Sequence, residues 1–360
     1  PPPPVLSTIA WKTVDPQAAA RRVRSYPIGS AHPWAVAAAD MNHDGRSDLI
    51  TANKADPEDL SVLLNEGQRA FKETGAHAAV GKFPMDIIAA DFDGDGLPDV
   101  ATVNKDSRDV TVLKNLGGGS LRNVESLPLE AAGFSLAAGD LDGDRDLDIA
   151  AARQPSILRV FLNRGDGSFS SPSDLQVGNG PNGLLAQDLN GDGRTDLALV
   201  LEIGYAVAVL LQGADGTLSP PRKQPCGGHP TDLAAGDLNG DGTPDLAVVC
   251  YKTSTIAVFL NDGSGTFRAH AVLPAPKDPF SAVIADATGD DRADIAVNNE
   301  HDGALSILIN EGKASFRQGL EFPTQGQPFR LVAADLDGDG RMDIAATNGS
   351  ANAVAVLFGE

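Results

Sequence analysis

The chain has 360 residues, 42% of them hydrophobic, and carries a formal net charge of −21. That charge excludes nucleic acid as a partner, because binding a polyanion needs a basic face. No stretch approaches the roughly 18 consecutive apolar residues of a membrane helix, so membrane insertion is not expected either. Two cysteines are too few for a disulfide scaffold.

The chain opens Pro1-Pro2-Pro3-Pro4, with no initiator Met and no charged-then-apolar leader. It reads as the mature form of a secreted, cell-surface or periplasmic protein, or as a trimmed chain. Residues 1–17 form a proline-containing leader. From residue 18 one pattern recurs seven times: an apolar run, D-x-[DNT]-x-D-x-x-x-D, and a second apolar run. Its first aspartates are spaced 51, 49, 48, 49, 49 and 49 residues apart, and the seven units account for residues 18–360. A fixed period of this length marks a repeat architecture.

Each unit reads as four short strands rich in Val, Ile, Leu and Ala and bounded by Gly, Asp and Pro. In the fifth they are residues 232–236, 246–250 and 255–260, with a fourth after Phe267. A glycine turn, Asn261-Asp-Gly-Ser-Gly-Thr-Phe267, joins the third to the fourth, and recurs at Asn163–Phe169 and Asn310–Phe316. Glycine supplies the positive φ angles of such a turn. Four strands repeated radially make an all-β, seven-bladed propeller of antiparallel strands. The seventh unit has only three strands, 331–334, 344–347 and 353–358. A strand within residues 20–28, Arg22 to Pro27, is expected to pair with 353–358 and complete the last blade.

The loops carry the acids. Loop one offers Asp40, Asn42, Asp44 and Asp48, and loop two Asp91, Asp93, Asp95 and Asp99. Loop three offers Asp140, Asp142, Asp144 and Asp148; loop four Asp188, Asn190, Asp192 and Asp196. Loop five has Asp237, Asn239, Asp241 and Asp245, loop six Asp286, Thr288, Asp290 and Asp294, and loop seven Asp335, Asp337, Asp339 and Asp343. These positions hold 24 of the 49 acids, leaving 25 against 28 Lys and Arg, so the rest of the chain is close to neutral. Calcium takes six to eight oxygen ligands, and acids at positions 1, 3, 5 and 9 can supply four side chains. The carbonyls at position 7 (Arg46, Leu97, Asp146, Arg194, Thr243, Arg292 and Arg341) can add another. Up to seven structural calcium ions are expected, held most tightly by loops two and seven and most weakly by loop six. An EF-hand is excluded, because its position-12 Glu is replaced by Thr51, Thr102, Ala151, Leu199, Val248, Val297 or Ala346.

Runs such as Ala90-Asp-Phe-Asp-Gly-Asp-Gly-Leu-Pro-Asp-Val100 resemble the FG-GAP (VCBS-type) repeats of integrin α propeller heads, bacterial secreted proteins and fungal lectins. The resemblance covers all seven units. It implies calcium between the first and second strands, on one face of the disc, with ligands bound on the opposite face or between blades. It does not fix function.

On that opposite, upper face, six residues before each first aspartate, stand Trp34, Met85, Phe134, Asn182, Thr231, Phe280 and Phe329. They either plug the channel or form a stacking platform for a ligand. His229, Tyr251, Lys252 and His301 stand nearby as candidate ligand contacts. Cys226 enters strand one of the fifth unit and Cys250 ends strand two, so a disulfide between them is the preferred reading, consistent with an oxidising compartment. No nucleophile motif, zinc signature or phosphate loop is present. The leading expectation is a calcium-stabilised extracellular module that binds carbohydrate or protein. The alternatives are an adhesion scaffold with protein partners and a polysaccharide-acting lyase or hydrolase, which would draw on His32, His229, His301, Tyr251, Lys252, Asp278 and Glu300.

Overall fold

The protein is described here by a computed structural model covering Lys12, Thr13 and residues 22–359. It forms seven antiparallel sheets arranged as the blades of a propeller. Blade 5 consists of Pro230–Gly236, Asp245–Cys250, Thr255–Asn261 and Phe267–Pro274, from the axis outward. The expected strands are present; those of blade 5 and the first two of blade 7 are extended by one to three residues, while the strand expected over 353–358 ends at Leu357 and the one expected from Arg22 begins at Val23. Innermost strands touch from blade to blade all the way round, with Pro328–Ala334 of blade 7 against Pro33–Ala39 of blade 1.

The second strand of every blade but blade 3 is buried along its whole length, as in Leu246 to Cys250. Alternation is absent there because both faces of the strand pack against neighbouring blades. Between blades 5 and 6, Val249, Ile256 and Leu273 meet Ile295, Val297 and Leu308. Between blades 7 and 1, Val354, Val356 and Phe358 meet Leu49 and Leu63. The core is therefore a ring of seals between adjacent sheets.

Closure of that ring occurs as the sequence predicts. Val23–Pro27 pairs antiparallel with Ala353–Leu357, Val23 opposite Leu357 and Pro27 opposite Ala353. The leader expected over 1–17 lies outside the described residues except for Lys12–Thr13, which pairs in parallel with the outer strand of blade 6. The expected disulfide is corrected. Cys226 and Cys250 are both buried thiols, and Cys250 Sγ donates to the carbonyl of Cys226 at 3.4 Å. Cys226 follows the outer strand of blade 4, Arg222–Pro225, instead of entering the first strand of blade 5, which begins at Pro230; the two thiols are neighbours but are not joined.

A second device joins the blades. The asparagine at or just beyond the end of the third strand donates from Nδ2 to a carbonyl in the loop of the preceding blade: Asn115 to Met41, Asn163 to Phe92, Asn261 to Leu189 and Asn310 to Leu238. Each also bonds a carbonyl of its own loop, such as Leu147 for Asn163. Blade 7 has Gly359 at this point, and the N-terminal strand replaces the missing side chain. Arg22 Nη2 donates to Ala287 O of blade 6 at 3.2 Å, and its Nε to Phe358 O at 3.1 Å. Arg22→Ala is expected to cost about 1–2 kcal/mol and Asn163→Ala about 2–3, the latter leaving two buried carbonyls without donors. Urea denaturation monitored by circular dichroism measures both, and equal stability of Arg22→Ala and wild type would refute the substitution.

Candidate functional site

The acid loops lie at the lower ends of the first strands, and all seven have one shape. Two positive φ angles bend each loop, at positions 4 and 6. Position 6 is glycine in five loops, and in the other two Arg145 (φ 80°) and Asp291 (φ 61°) adopt the same conformation. Position 4 is glycine in six loops and His43 (φ 58°) in the first. A left-handed conformation is costly for a side-chain-bearing residue, so the surrounding hydrogen bonds must impose it.

Those bonds converge on the aspartates. Asp91 accepts from the backbone N–H of Gly94 at 2.8 Å and of Gly96 at 2.9 Å, and Asp95 from Leu97 at 2.9 Å. The position-9 aspartates Asp48, Asp99, Asp148, Asp196, Asp245, Asp294 and Asp343 are all buried. In loop three, Asp148 takes the N–H of Leu141 at 2.8 Å on one oxygen and that of Asn163 at 2.8 Å on the other. The other six position-9 residues do the same. This aspartate thus binds its loop to the end of the third strand, while each oxygen keeps a further lone pair. Burial, aided by the neighbouring loop carboxylates, pushes Asp48, Asp99 and Asp343 up to about 6 and Asp148 up to about 7. A cation beside them would favour the ionised form.

Three loops bring carboxylate oxygens within 4.8 Å of one another: Asp91, Asp93 and Asp99; Asp140, Asp142 and Asp148; Asp335, Asp337 and Asp339. The donor set is all oxygen and anionic, which fits a hard divalent cation. Basic side chains of the protein already reach into several loops. Arg46, Arg194 and Arg292 at position 7 pair with Asp44, Asp192 and Asp290. Lys114 bridges Asp93 and Asp95 in loop two, and these carboxylates hold its ammonium above the ordinary lysine range. Arg69 Nε lies 2.6 Å from Asp337 in loop seven. Among the described residues, no Lys or Arg pairs with the acids of loops three or five.

At the upper end of the axis the aromatic residues pack on one another. Trp34 stacks on Phe329 with centroids 4.2 Å apart, and Phe280 meets it edge-on at 5.8 Å. Lys54 Nζ sits 3.2 Å from the indole centroid and must take the face that Phe329 leaves, since both cannot occupy one side. Phe83 lies beneath the same ammonium at 3.7 Å, and Lys105 stands 5.5 Å from the Phe134 ring. The indole therefore has no open face for a sugar ring. The asparagines that end the second strands, Asn53, Asn104, Asn299 and Asn348, are buried and bonded within their own blades or to the adjoining turn.

The other candidates separate into groups. His229 contacts Glu202 and Tyr205, each at 3.4 Å, at the boundary of blades 4 and 5. His301 lies with Lys277 at 3.3 Å and Asp278 at 3.9 Å on blade 6. His32 rests against Phe329. Tyr251 is half-buried and Lys252 exposed on the turn that follows Cys250. Sequence reasoning missed Ile203 and Tyr205, which project from the blade 4 turn with 57% and 47% of their surface exposed. Their only signal was two large apolar residues flanking a glycine in a polar turn.

The repeat units match the FG-GAP-like repeat family over residues 40–102, 91–151, 140–199, 188–248, 237–297 and 292–346. The chain belongs to the FG-GAP-like repeat family. No curated protein sequence matches it. Among solved structures, the repeat chain is similar to BBS1N in complex with ARL6DN (TM-score 0.65, 14% identity, 94% of this chain and 98% of that one). It is similar to an Agrocybe aegerita lectin that recognises non-reducing terminal N-acetylglucosamine (TM-score 0.55, 20% identity, 83% and 81% covered). Virginiamycin B lyase from Staphylococcus aureus is also similar (TM-score 0.61, 12% identity, 93% and 98% covered). At these identities the likeness is one of fold.

Burial and the neighbouring Lys105 push Lys54 down to about 8, while the ring faces below it oppose that fall. A lysine depressed in the folded state penalises folding fully below pH 8, and the penalty is lifted as pH rises from there into the ordinary lysine range. In a Trp11→Phe background, Trp34 fluorescence is expected to titrate with a midpoint near pH 8, and the additional change Lys54→Met to abolish the transition. A midpoint in the ordinary lysine range would show that the aromatic faces outweigh burial.

Proposed function

We propose that this protein is a calcium-stabilised, secreted or cell-surface binding module that recognises carbohydrate through the upper rim at blades 4 and 5. The observation that carries the reading is the exposure of Ile203 and Tyr205 beside Glu202 and His229. An aromatic face and an aliphatic side chain flanked by a carboxylate and an imidazole suit a ligand with both apolar faces and hydroxyls. A fold neighbour that recognises N-acetylglucosamine supports it. The second reading, a scaffold for a protein partner, is favoured by the neighbour BBS1N, which is in complex with ARL6DN. A glycan array on calcium-loaded protein separates them. Hits that Tyr205→Ala and His229→Ala both weaken by roughly tenfold support the first reading. Silence on the array, with capture of a cell-surface protein, supports the second.

Calcium in this reading is structural. It neutralises carboxylates that the fold holds together at the lower face. The affinity order expected from the motif, with loops two and seven first because they combine four acids with glycine at position 6 where loop three has Arg145, changes once the competing side chains are considered. Loop three has clustered carboxylates and no Lys or Arg paired with them among the described residues, so it is proposed as the tightest site. Chelation is expected to lower the melting temperature by about 5 °C or more, since a bound ion stabilises only the folded state. In calorimetric calcium titration, Asp142→Ala is expected to remove the highest-affinity step and Asp93→Ala to leave it. An unchanged melting temperature after chelation would sink the structural role.

A further inference from the structure

The residue that follows the second strand stands at the same place on the upper face in every blade. In blade 1 it is Lys54, whose N–H donates to His32 O at 3.1 Å, and in blade 2 it is Lys105, whose N–H donates to Phe83 O at 2.9 Å. Gln154, Glu202 and Tyr251 make the equivalent bond in blades 3, 4 and 5. The place is therefore cationic in two adjacent blades and anionic in blades 4 and 6, where Glu202 and Glu300 occupy it. The repeat fixes the backbone there, and the side chain alone decides the charge presented.

Lys54 and Lys105 converge on one aromatic ring. The Phe83 centroid lies 3.7 Å from Lys54 Nζ and 5.1 Å from Lys105 Nζ. Trp34 flanks Lys54 at 3.2 Å, and Phe134 flanks Lys105 at 5.5 Å. Ring faces attract an ammonium group, but its remaining N–H donors still need acceptors. Among the described residues neither nitrogen has a hydrogen-bond acceptor or an ion-pair partner. The unpartnered polar atoms sealed from solvent include Trp34 Nε1 but neither lysine nitrogen, so both ammonium groups are open to it.

The charges around the pair restrict what it can hold. Burial first, and the charge of Lys105 next, depress Lys54, so each ammonium group feels the other. Asp106 and Glu300 act on Lys54 in the opposite sense, and burial and Lys54 depress His32. Neither acid comes within bonding distance of either lysine, so their field weakens the positive potential without closing the site. An anion between the two nitrogens relieves their repulsion, and the nearby acids favour one negative charge over two. A carboxylate meets both conditions, with one charge and two oxygens that can each accept from one ammonium group. Phe83 and Phe134 are partly exposed beside the pair, and the C–H face of a ligand ring would cover that apolar surface.

We propose that Lys54 and Lys105 together bind the carboxylate of a small ligand of the uronic acid class, one ammonium group to each oxygen. The site lies at blades 1 and 2, apart from the rim at blades 4 and 5, and does not rest on that reading. Saturation-transfer NMR tests it on the calcium-loaded full chain carrying Tyr205→Ala, which removes any contribution from the rim. The probes are glucuronate, glucose as its neutral counterpart and sulfate as a doubly charged anion, all at one ionic strength. Glucuronate is expected to bind saturably and roughly tenfold or more tighter than glucose, and Lys54→Met or Lys105→Met to weaken it by a similar factor. A second readout ties binding to the pair. Saturating glucuronate should raise the pH midpoint of Trp34 fluorescence in the Trp11→Phe background, because a bound anion favours the charged amine, and Lys105→Met should reduce that rise. No saturable binding of glucuronate, equal affinity for glucose, tighter binding of sulfate, or unchanged affinity in both lysine variants would each overturn the proposal.

Discussion

A buried aspartate at the ninth position of each loop is the contact on which the rest of the propeller depends. Its two oxygens are divided between the second residue of the loop and the end of the third strand, as Asp99 is between Phe92 and Asn115. A carboxylate withdrawn from water needs such partners, and backbone N–H groups supply them. The loop is thereby closed and the third strand is set in register. The asparagine at that strand end is left facing the preceding blade, where it meets a loop carbonyl. Blade shape and blade-to-blade contact thus follow from one repeated residue.

The acids at the other loop positions present a different balance. Positions 1 and 5 are satisfied by the loop's own N–H groups, but their charge is not neutralised by hydrogen bonds alone. In several loops arginine or lysine reaches the carboxylates, from position 7 of the same loop, from the third strand of the same blade in the case of Lys114, or from the next blade in the case of Arg69. Repeats that look alike in sequence therefore differ in how much charge remains for a metal. This is a property of neighbours, not of the motif.

Ring closure relies on both ends of the chain. The N-terminal strand covers an edge that would otherwise present unpaired backbone groups. It also carries Arg22, which occupies the role of the asparagine that blade 7 lacks. Strand pairing and the inter-blade bond are provided by one segment, so the last interface resembles the other six in its bonds despite a different origin.

The period of the acidic motif and the chain length determined the architecture by themselves, down to the pairing of residues 23–27 with 353–357. A repeat that cannot bury its faces alone must stack, and the number of repeats sets the number of blades. The acid clusters at the loops were legible for the same reason. What only the tertiary structure decided was the occupancy of each side chain. Asp148 proved to hold two backbone groups, Lys114 proved to sit among loop acids, and Trp34 proved to be covered on both faces. The setting of Lys54 beside Lys105 and the exposure of Tyr205 belong to this class too. Such facts depend on which residues of adjacent blades meet, and blade-to-blade contacts join positions about 50 or more residues apart that no local pattern relates.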